Sequence, residues 1–144
     1  MQCELPTKAD VHRIAKVFDG VKTVAIAGCS PDPTKASNSV AAYLQKQGFT
    51  ILPIYPKEDE ILGEKVYRSL GEIVSAVDMV IMFRKSEYAT ELVAEAIERG
   101  DIKVFWMQEG ITNENARKMA EAARIVVVED RCAMKIHQAA RAAQ

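Results

Sequence analysis

The sequence predicts an α/β fold, a doubly wound parallel β-sheet with helices on both faces, in one three-layer α/β/α domain spanning residues 1–144. Three observations predict it. Five short apolar runs recur along the chain: Val24-Ala25-Ile26-Ala27, Ile51-Leu52-Pro53-Ile54, Met79-Val80-Ile81-Met82-Phe83, Val104-Phe105-Trp106-Met107 and Ile125-Val126-Val127-Val128. They do not alternate with polar residues, which is how strands buried on both faces read. Amphipathic stretches of helical period separate most of them. The chain has 144 residues, 49% of them hydrophobic, enough for one core without disulfides or a structural metal.

Taken in order, residues 1–20 hold a leading helix, with Val11, Ile14, Ala15 and Phe18 on one face. The first strand follows. Val40, Ala41 and Leu44 then share a helix face, and Gly48 lies where a C′ glycine belongs. Pro53 in the second strand has no N–H, so it belongs near the strand end or beside a weakly paired edge strand. A short strand near Val66 is expected to edge the sheet. Ala89, Leu92, Val93, Ala96 and Ile97 recur at helical spacing, with Ser86 the expected N-cap, Glu87 at the positive end, and Arg99 before Gly100 at the negative end. Thr112 is the expected cap of a helix through Ala116, Met119, Ala120 and Ala123. A trailing helix lies within residues 131–144. Strands alternating with helices through short connections imply right-handed crossovers and a Rossmann-like domain.

Composition excludes several functions. Lys and Arg number 19 against 20 Asp and Glu, a net charge of −1, so there is no basic footprint for nucleic acid. No run of about 18 apolar residues exists to span a membrane. Met1-Gln2-Cys3-Glu4 opens without the charged and apolar regions of a signal peptide. Cys3, Cys29 and Cys132 form no CxxC or Cys/His cluster, so no metal site is expected, and free thiols in the reducing cytoplasm are the plain reading.

In an open parallel sheet, ligands bind outside the carboxyl ends of the strands. After the first run, Gly28-Cys29-Ser30-Pro31-Asp32-Pro33 leads to Thr34-Lys35-Ala36-Ser37-Asn38-Ser39, which opens a helix. Small residues before a helix N-terminus suit an anion, with Ser30, Ser37, Asn38 and Ser39 as side-chain donors. The stretch matches neither GxGxxG nor GxxxxGK[ST], and an ordinary strand–loop–helix turn explains it equally well. After the second run, Tyr55-Pro56-Lys57 offers a lysine where a dinucleotide site usually has an acid. That suits a phosphorylated ribose, of NADP or coenzyme A, although a solvated surface lysine needs no such role. Phe83-Arg84 offers either a ligand-stacking ring with a charged donor or a core ring with a rim charge. Met107-Gln108-Glu109 faces the same edge, and Trp106 belongs to the core.

No Ser/His/Asp order or GxSxG is present. His12 and His137, in the terminal helices, are expected in solvated or capping roles. Cys29 beside a helix N-terminus is the thiol most open to activation; the competing reading is a small residue where a small one is needed. Cys132 reads as a packing residue at a helix start.

Together these motifs resemble the small stand-alone CoA-binding proteins, single Rossmann domains similar to the CoA-binding domain of the succinyl-CoA synthetase α subunit. Val24-Ala25-Ile26-Ala27-Gly28-Cys29-Ser30-Pro31 resembles their hydrophobic–G-A-S-x opening. Ile54-Tyr55-Pro56-Lys57 is similar to V-N-P-K, and Ile61-Leu62-Gly63-Glu64-Lys65-Val66-Tyr67-Arg68-Ser69-Leu70 to I-L-G-x-K-x-Y-x-S-L. Val77-Asp78 with Phe83-Arg84-Lys85-Ser86-Glu87 is similar to V-D followed by F-R-x-S-E. Trp106-Met107-Gln108-Glu109-Gly110-Ile111 with Asn113-Glu114 resembles W-x-Q-x-G-I-x-N-E, and Glu129-Asp130-Arg131-Cys132 resembles x-D-R-C. The order of these pieces, from about residue 21 to 137, carries the resemblance. Cys29 departs from the usual alanine, Ile81 from a frequent acid, and Lys35-Ala36-Ser37-Asn38 lacks the usual arginine and aromatic.

The resemblance implies that Gly28, Cys29, Ser30, Asn38 and Ser39 hold a pyrophosphate. It implies that Tyr55, Pro56 and Lys57 flank an adenosine 3′-phosphate. Phe83 and Arg84 would line the groove, with Met107, Gln108 and Glu109 on the pantetheine side. The ligase reaction of the larger enzymes draws on a phosphorylatable histidine and a second subunit. The resemblance therefore implies binding without ligase chemistry. The expected function is a cytoplasmic CoA or acyl-CoA binding protein without catalytic machinery. The rivals are an NADP-dependent reductase, a nucleotide-sensing regulatory module, or an interaction domain with a vestigial loop. No nucleic-acid or membrane partner is expected, no protein partner is indicated, and a homodimer through the terminal helices is open.

Overall fold

The computed structural model describes residues 7–142, and the apolar runs become five parallel strands in the order β2-β1-β5-β6-β7. Strand β1 (Thr23–Ala27) lies between β2 (Thr50–Ile54) and β5 (Met79–Met82), followed outward by β6 (Val104–Met107) and β7 (Val126–Val128). Each inner strand is buried on both faces. Val24, Ile26, Ile51, Met79, Ile81 and Trp106 point to one layer; Ala25, Ala27, Leu52, Val80, Met82 and Phe105 point to the other. Non-alternating hydrophobicity thus has its expected meaning.

The first layer holds α1 (Lys8–Ala15), α2 (Ala36–Lys46) and α5 (Ala133–Ala142). The second holds α3 (Ala89–Arg99) and α4 (Glu114–Ala122). The leading and trailing helices fall within their expected ranges; residues 1–6 and 143–144, including Cys3, lie outside the described part. Thr7 caps α1 by accepting the Asp10 N–H at 3.1 Å. Asp10 also meets Arg131 at 3.3 Å, joining α1 to the loop that precedes α5.

The chain runs from β1 through α2 to β2, then crosses back over β1 to β5. The direction of winding therefore switches between β1 and β5, whose ends Ala27 and Met82 stand side by side. The return crossover contains no α-helix. It begins with a hairpin, β3 (Glu60–Ile61) and β4 (Glu64–Lys65). Its turn residues Leu62 (φ 54°) and Gly63 (φ 77°) are both left-handed, the conformation of a type I′ turn. Tyr67 then forms the expected edge pairing with Ile54: Tyr55 N–H donates to the Tyr67 carbonyl at 3.0 Å, and Tyr67 N–H to the Pro53 carbonyl at 2.9 Å. Pro53 is accordingly next to a short edge segment.

Two expected caps are corrected. Ser86 opens a 3₁₀ turn (Ser86–Tyr88) ahead of α3, so its hydroxyl caps nothing there. Its carbonyl instead accepts the Asn113 side chain at 2.9 Å. Asn113, not Thr112, caps α4, its Oδ1 accepting the Ala116 N–H at 2.9 Å. Asn ranks above Thr as an N-cap, so the stronger capping residue takes the place.

His137 also departs from expectation. Its ring is edge-on to Phe18, Tyr43 and Phe49, with centroids 5.1, 5.5 and 5.6 Å away. Its Nδ1 is 2.7 Å from the Tyr43 hydroxyl. Burial, then the charge of Arg141, hold its pKa below the ordinary value. The unfolded chain therefore binds a proton first, near pH 6.5. Stability from this site is complete above that pH and declines as pH falls toward the lowered native value. The urea midpoint of the wild type is expected to fall between pH 7.5 and 5.5 by more than that of His137→Phe. Parallel curves would remove His137 from the pH response.

Candidate functional site

The carboxyl edge brings together the loops after β1, β2, β5 and β6. Gly28 ends β1 with φ 84°. In that conformation its amide and that of Cys29 both donate to the Ile54 carbonyl, at 2.9 and 3.1 Å. A side chain at Gly28 would place Cβ 3.0 Å from the Phe83 carbonyl oxygen and 3.2 Å from Arg84 Cγ. Glycine is thus required twice, for the left-handed backbone and for the close approach of β5.

This geometry corrects the expectation that Gly28 and Cys29 present amides to an anion, because those donors are consumed. The next amides are also engaged. Ser30 N–H donates to Ser37 Oγ at 2.9 Å, and Asn38 Nδ2 to the Ser30 carbonyl at 2.9 Å. Asp32 N–H donates to Ser30 Oγ at 3.1 Å. The Thr34 amide and hydroxyl donate to Asp32 Oδ1 at 2.9 and 2.8 Å, holding the Asp32 carboxyl below the usual range. At the start of α2, the Asn38 and Ser39 amides turn back to the Lys35 carbonyl. The amides of Ala36 and Ser37 are left with no partner among the described residues. They carry the partial positive charge of an 11-residue helix, an arrangement that suits a phosphate oxygen. Ser39 is exposed beside them, its hydroxyl 3.4 Å from the Lys35 carbonyl.

The turn after β2 exposes Pro56 and Lys57, with Tyr55 half-buried. Among the described residues Lys57 forms no ion pair. From β5, Phe83 N–H donates to the Ala27 carbonyl at 2.8 Å, so its half-buried ring stands at the switch point. Arg84 is exposed and lies 4.1 Å above the Tyr88 ring. These residues follow β2 and β5 at the carboxyl edge of the sheet.

The far side is different. Met107 is fully buried, and Gln108 is 4% exposed. Gln108 Oε1 accepts the Ala133 N–H at 2.8 Å, capping α5, and Glu109 pairs with Lys135 at 3.2 Å. Asn38, 6% exposed, serves the Ser30 carbonyl. Cys29, Asn38, Met107 and Gln108 therefore shape the edge from beneath. The free Ala36 and Ser37 amides are those of a helix N-terminus, as the sequence implied; one contributor, Arg68, escapes sequence reasoning. Arg68 Nη1 donates to the carbonyls of Tyr55, Lys57 and Glu58 at 3.0, 3.0 and 2.8 Å. A lone arginine carries no pattern to mark that role.

Burial pushes the Cys29 thiol up to about 11, which corrects activation by the helix and favours the small packing residue. At pH 8 its thiolate fraction is then on the order of 10⁻³. Alkylation mapped to the Cys29 peptide is expected to run about 100-fold slower in the native protein than in urea; equal rates would contradict the burial. Gly28→Ala is expected to cost about 2 kcal/mol in urea denaturation, and a neutral effect would show that the turn tolerates a side chain.

A sequence model of the CoA binding domain matches residues 22–138. The chain is similar to the uncharacterized protein YneT of Bacillus subtilis, 36% identical over 132 residues, covering 92% of this chain and 95% of that one. It is also similar to the α subunit of an ADP-forming acetate–CoA ligase II of Pyrococcus furiosus, 27% identical over 120 residues. That match covers 83% of this chain but only 26% of the ligase subunit. Among solved structures, a hypothetical protein from Pyrococcus horikoshii superimposes with a TM-score of 0.86 at 32% identity, covering 98% of this chain and 99% of the other. With the switch-point loop, the lysine turn and the family match over the same residues, the chain belongs to the CoA binding domain family.

Proposed function

We propose that this protein binds coenzyme A or an acyl-CoA at the carboxyl edge between β1 and β5, without catalysing a reaction of its own, in the cytoplasm. The observation that carries the reading is the pair of unpartnered amides at Ala36 and Ser37, in a chain of the CoA binding domain family. In this reading the pyrophosphate lies on the α2 N-terminus, where amides and helix charge favour it. Lys57 meets the 3′-phosphate as a point charge. Phe83 offers an apolar surface at the strand ends, and Arg84, over the Tyr88 ring, a cation on the rim. Among the described residues, no helix is long and apolar enough to cross a membrane.

The reading as a binder draws on where His137 and Cys29 lie. Phe18 and Phe49 precede β1 and β2, so the ring cage around His137 sits at the amino end of the sheet. His137 is therefore remote from the proposed groove, and Cys29 beneath it is a protonated thiol. Neither supplies a histidine base or a thiolate nucleophile at the carboxyl edge.

Calorimetric titration tests this with CoA, acetyl-CoA, 3′-dephospho-CoA, NADP and NAD. CoA is expected to bind, and dephospho-CoA about tenfold more weakly, the size of one charge-assisted contact. Lys57→Ala is expected to bring the two affinities together. Binding of NADP alone would replace the reading with a nicotinamide site, and binding of none of the five would overturn it.

A further inference from the structure

The Lys57 turn is not held by its own backbone. Its shape depends on Arg68, which stands on the edge segment just after Tyr67. One guanidinium nitrogen faces three carbonyls, those of Tyr55, Lys57 and Glu58, at 3.0, 3.0 and 2.8 Å. Nη1 carries two hydrogens, so the three acceptors crowd one donor group and the turn curls around it. Glu58 completes the curl with φ 68°, a left-handed backbone in a residue that is not glycine. Such a conformation persists only where its surroundings hold it, and the Arg68 contact to the Glu58 carbonyl supplies that hold.

Arg68 is itself anchored. Its amide donates to Glu72 Oε2 at 3.0 Å, and Tyr67 before it is locked to Pro53 and Tyr55 in the edge pairing. The clamp is therefore tied to β2 on one side and to the crossover on the other. Arg68 Nη2 also forms an ion pair with Asp59 at 3.9 Å, the aspartate side chain being fully exposed. Lys57 shares the turn with Glu58, Asp59 and Glu60, so the guanidinium shapes the turn through the three carbonyls and not through surplus charge.

We propose that Arg68 is the positioning residue that gives this site its selectivity for a terminal phosphate monoester on the ligand's ribose. It fixes the backbone from which Lys57 projects. A lysine at 68 keeps a charge but lacks the planar fork, whose geometry suits several fixed acceptors at once. The inference rests on the CoA reading above.

The test compares CoA with 3′-dephospho-CoA, by calorimetry, for the wild type, Arg68→Gln and Arg68→Lys, with circular dichroism and urea midpoints to confirm folding. The selectivity ratio is the readout, since general loosening of the fold weakens both ligands alike. The wild type is expected to favour CoA about tenfold. Both variants are expected to fall to about twofold or less while dephospho-CoA affinity stays within about twofold of wild type. Full selectivity in Arg68→Gln overturns the proposal. Full selectivity in Arg68→Lys alone overturns the positioning role and leaves only charge. A wild type that binds CoA without selectivity overturns this inference while the CoA reading stands. A wild type that binds neither ligand removes both.

Discussion

The carbonyl of Ile54 is the point on which the site is built. It accepts two successive amides, from Gly28 and Cys29, and that pairing requires the left-handed backbone at Gly28. The absence of a side chain there lets the Phe83 carbonyl close in, and Phe83 N–H in turn bonds to Ala27. The ends of β2, β1 and β5 are thereby fixed to one another through main-chain groups. The same pairing consumes the first donors of the loop. Free amides are displaced along the chain to Ala36 and Ser37, so a phosphate would meet the helix and not the glycine turn.

The fold was largely legible because its cause lies in single segments. A run such as Met79-Val80-Ile81-Met82 is apolar at every position, and burial on both faces follows directly. The hairpin of β3 and β4 was not legible. Its turn puts Leu62 at φ 54°, a place that ordinarily takes Asn, Asp or Gly, so the local signal is missing. Contacts with α2 hold it instead, through Gln45 Nε2 on the Leu62 carbonyl at 3.0 Å. His137 escaped for a related reason. Its cage draws rings from three separate places in the chain, at Phe18, Tyr43 and Phe49, and no periodicity links them.

The site was legible in position and less so in role. Topology places the residues after each strand on one edge, and Tyr55, Lys57, Phe83 and Arg84 are there. Which polar group remains available is a property of pairings between strands and helices. Gln108 illustrates this: the residue is at the edge, yet its Oε1 is committed to the first turn of α5. Arg68 is the converse, an unremarkable arginine in sequence whose three acceptors lie 10 to 13 residues away.

Charge adds a last constraint. The chain as a whole is nearly neutral, with a net charge of −1, so attraction of a phosphorylated ligand must be local. Exposed charges act over a Debye length of about 8 Å at physiological salt, so only groups on the rim matter. The two Thr34 bonds keep the Asp32 carboxyl ionised in the outer half of the β1 loop. That fixed negative charge disfavours an anion there. The start of α2 has unpaired amides at Ala36 and Ser37, and Lys57 follows the neighbouring strand β2. In the proposed reading, a pyrophosphate would be disfavoured beside Asp32 and favoured at the start of α2.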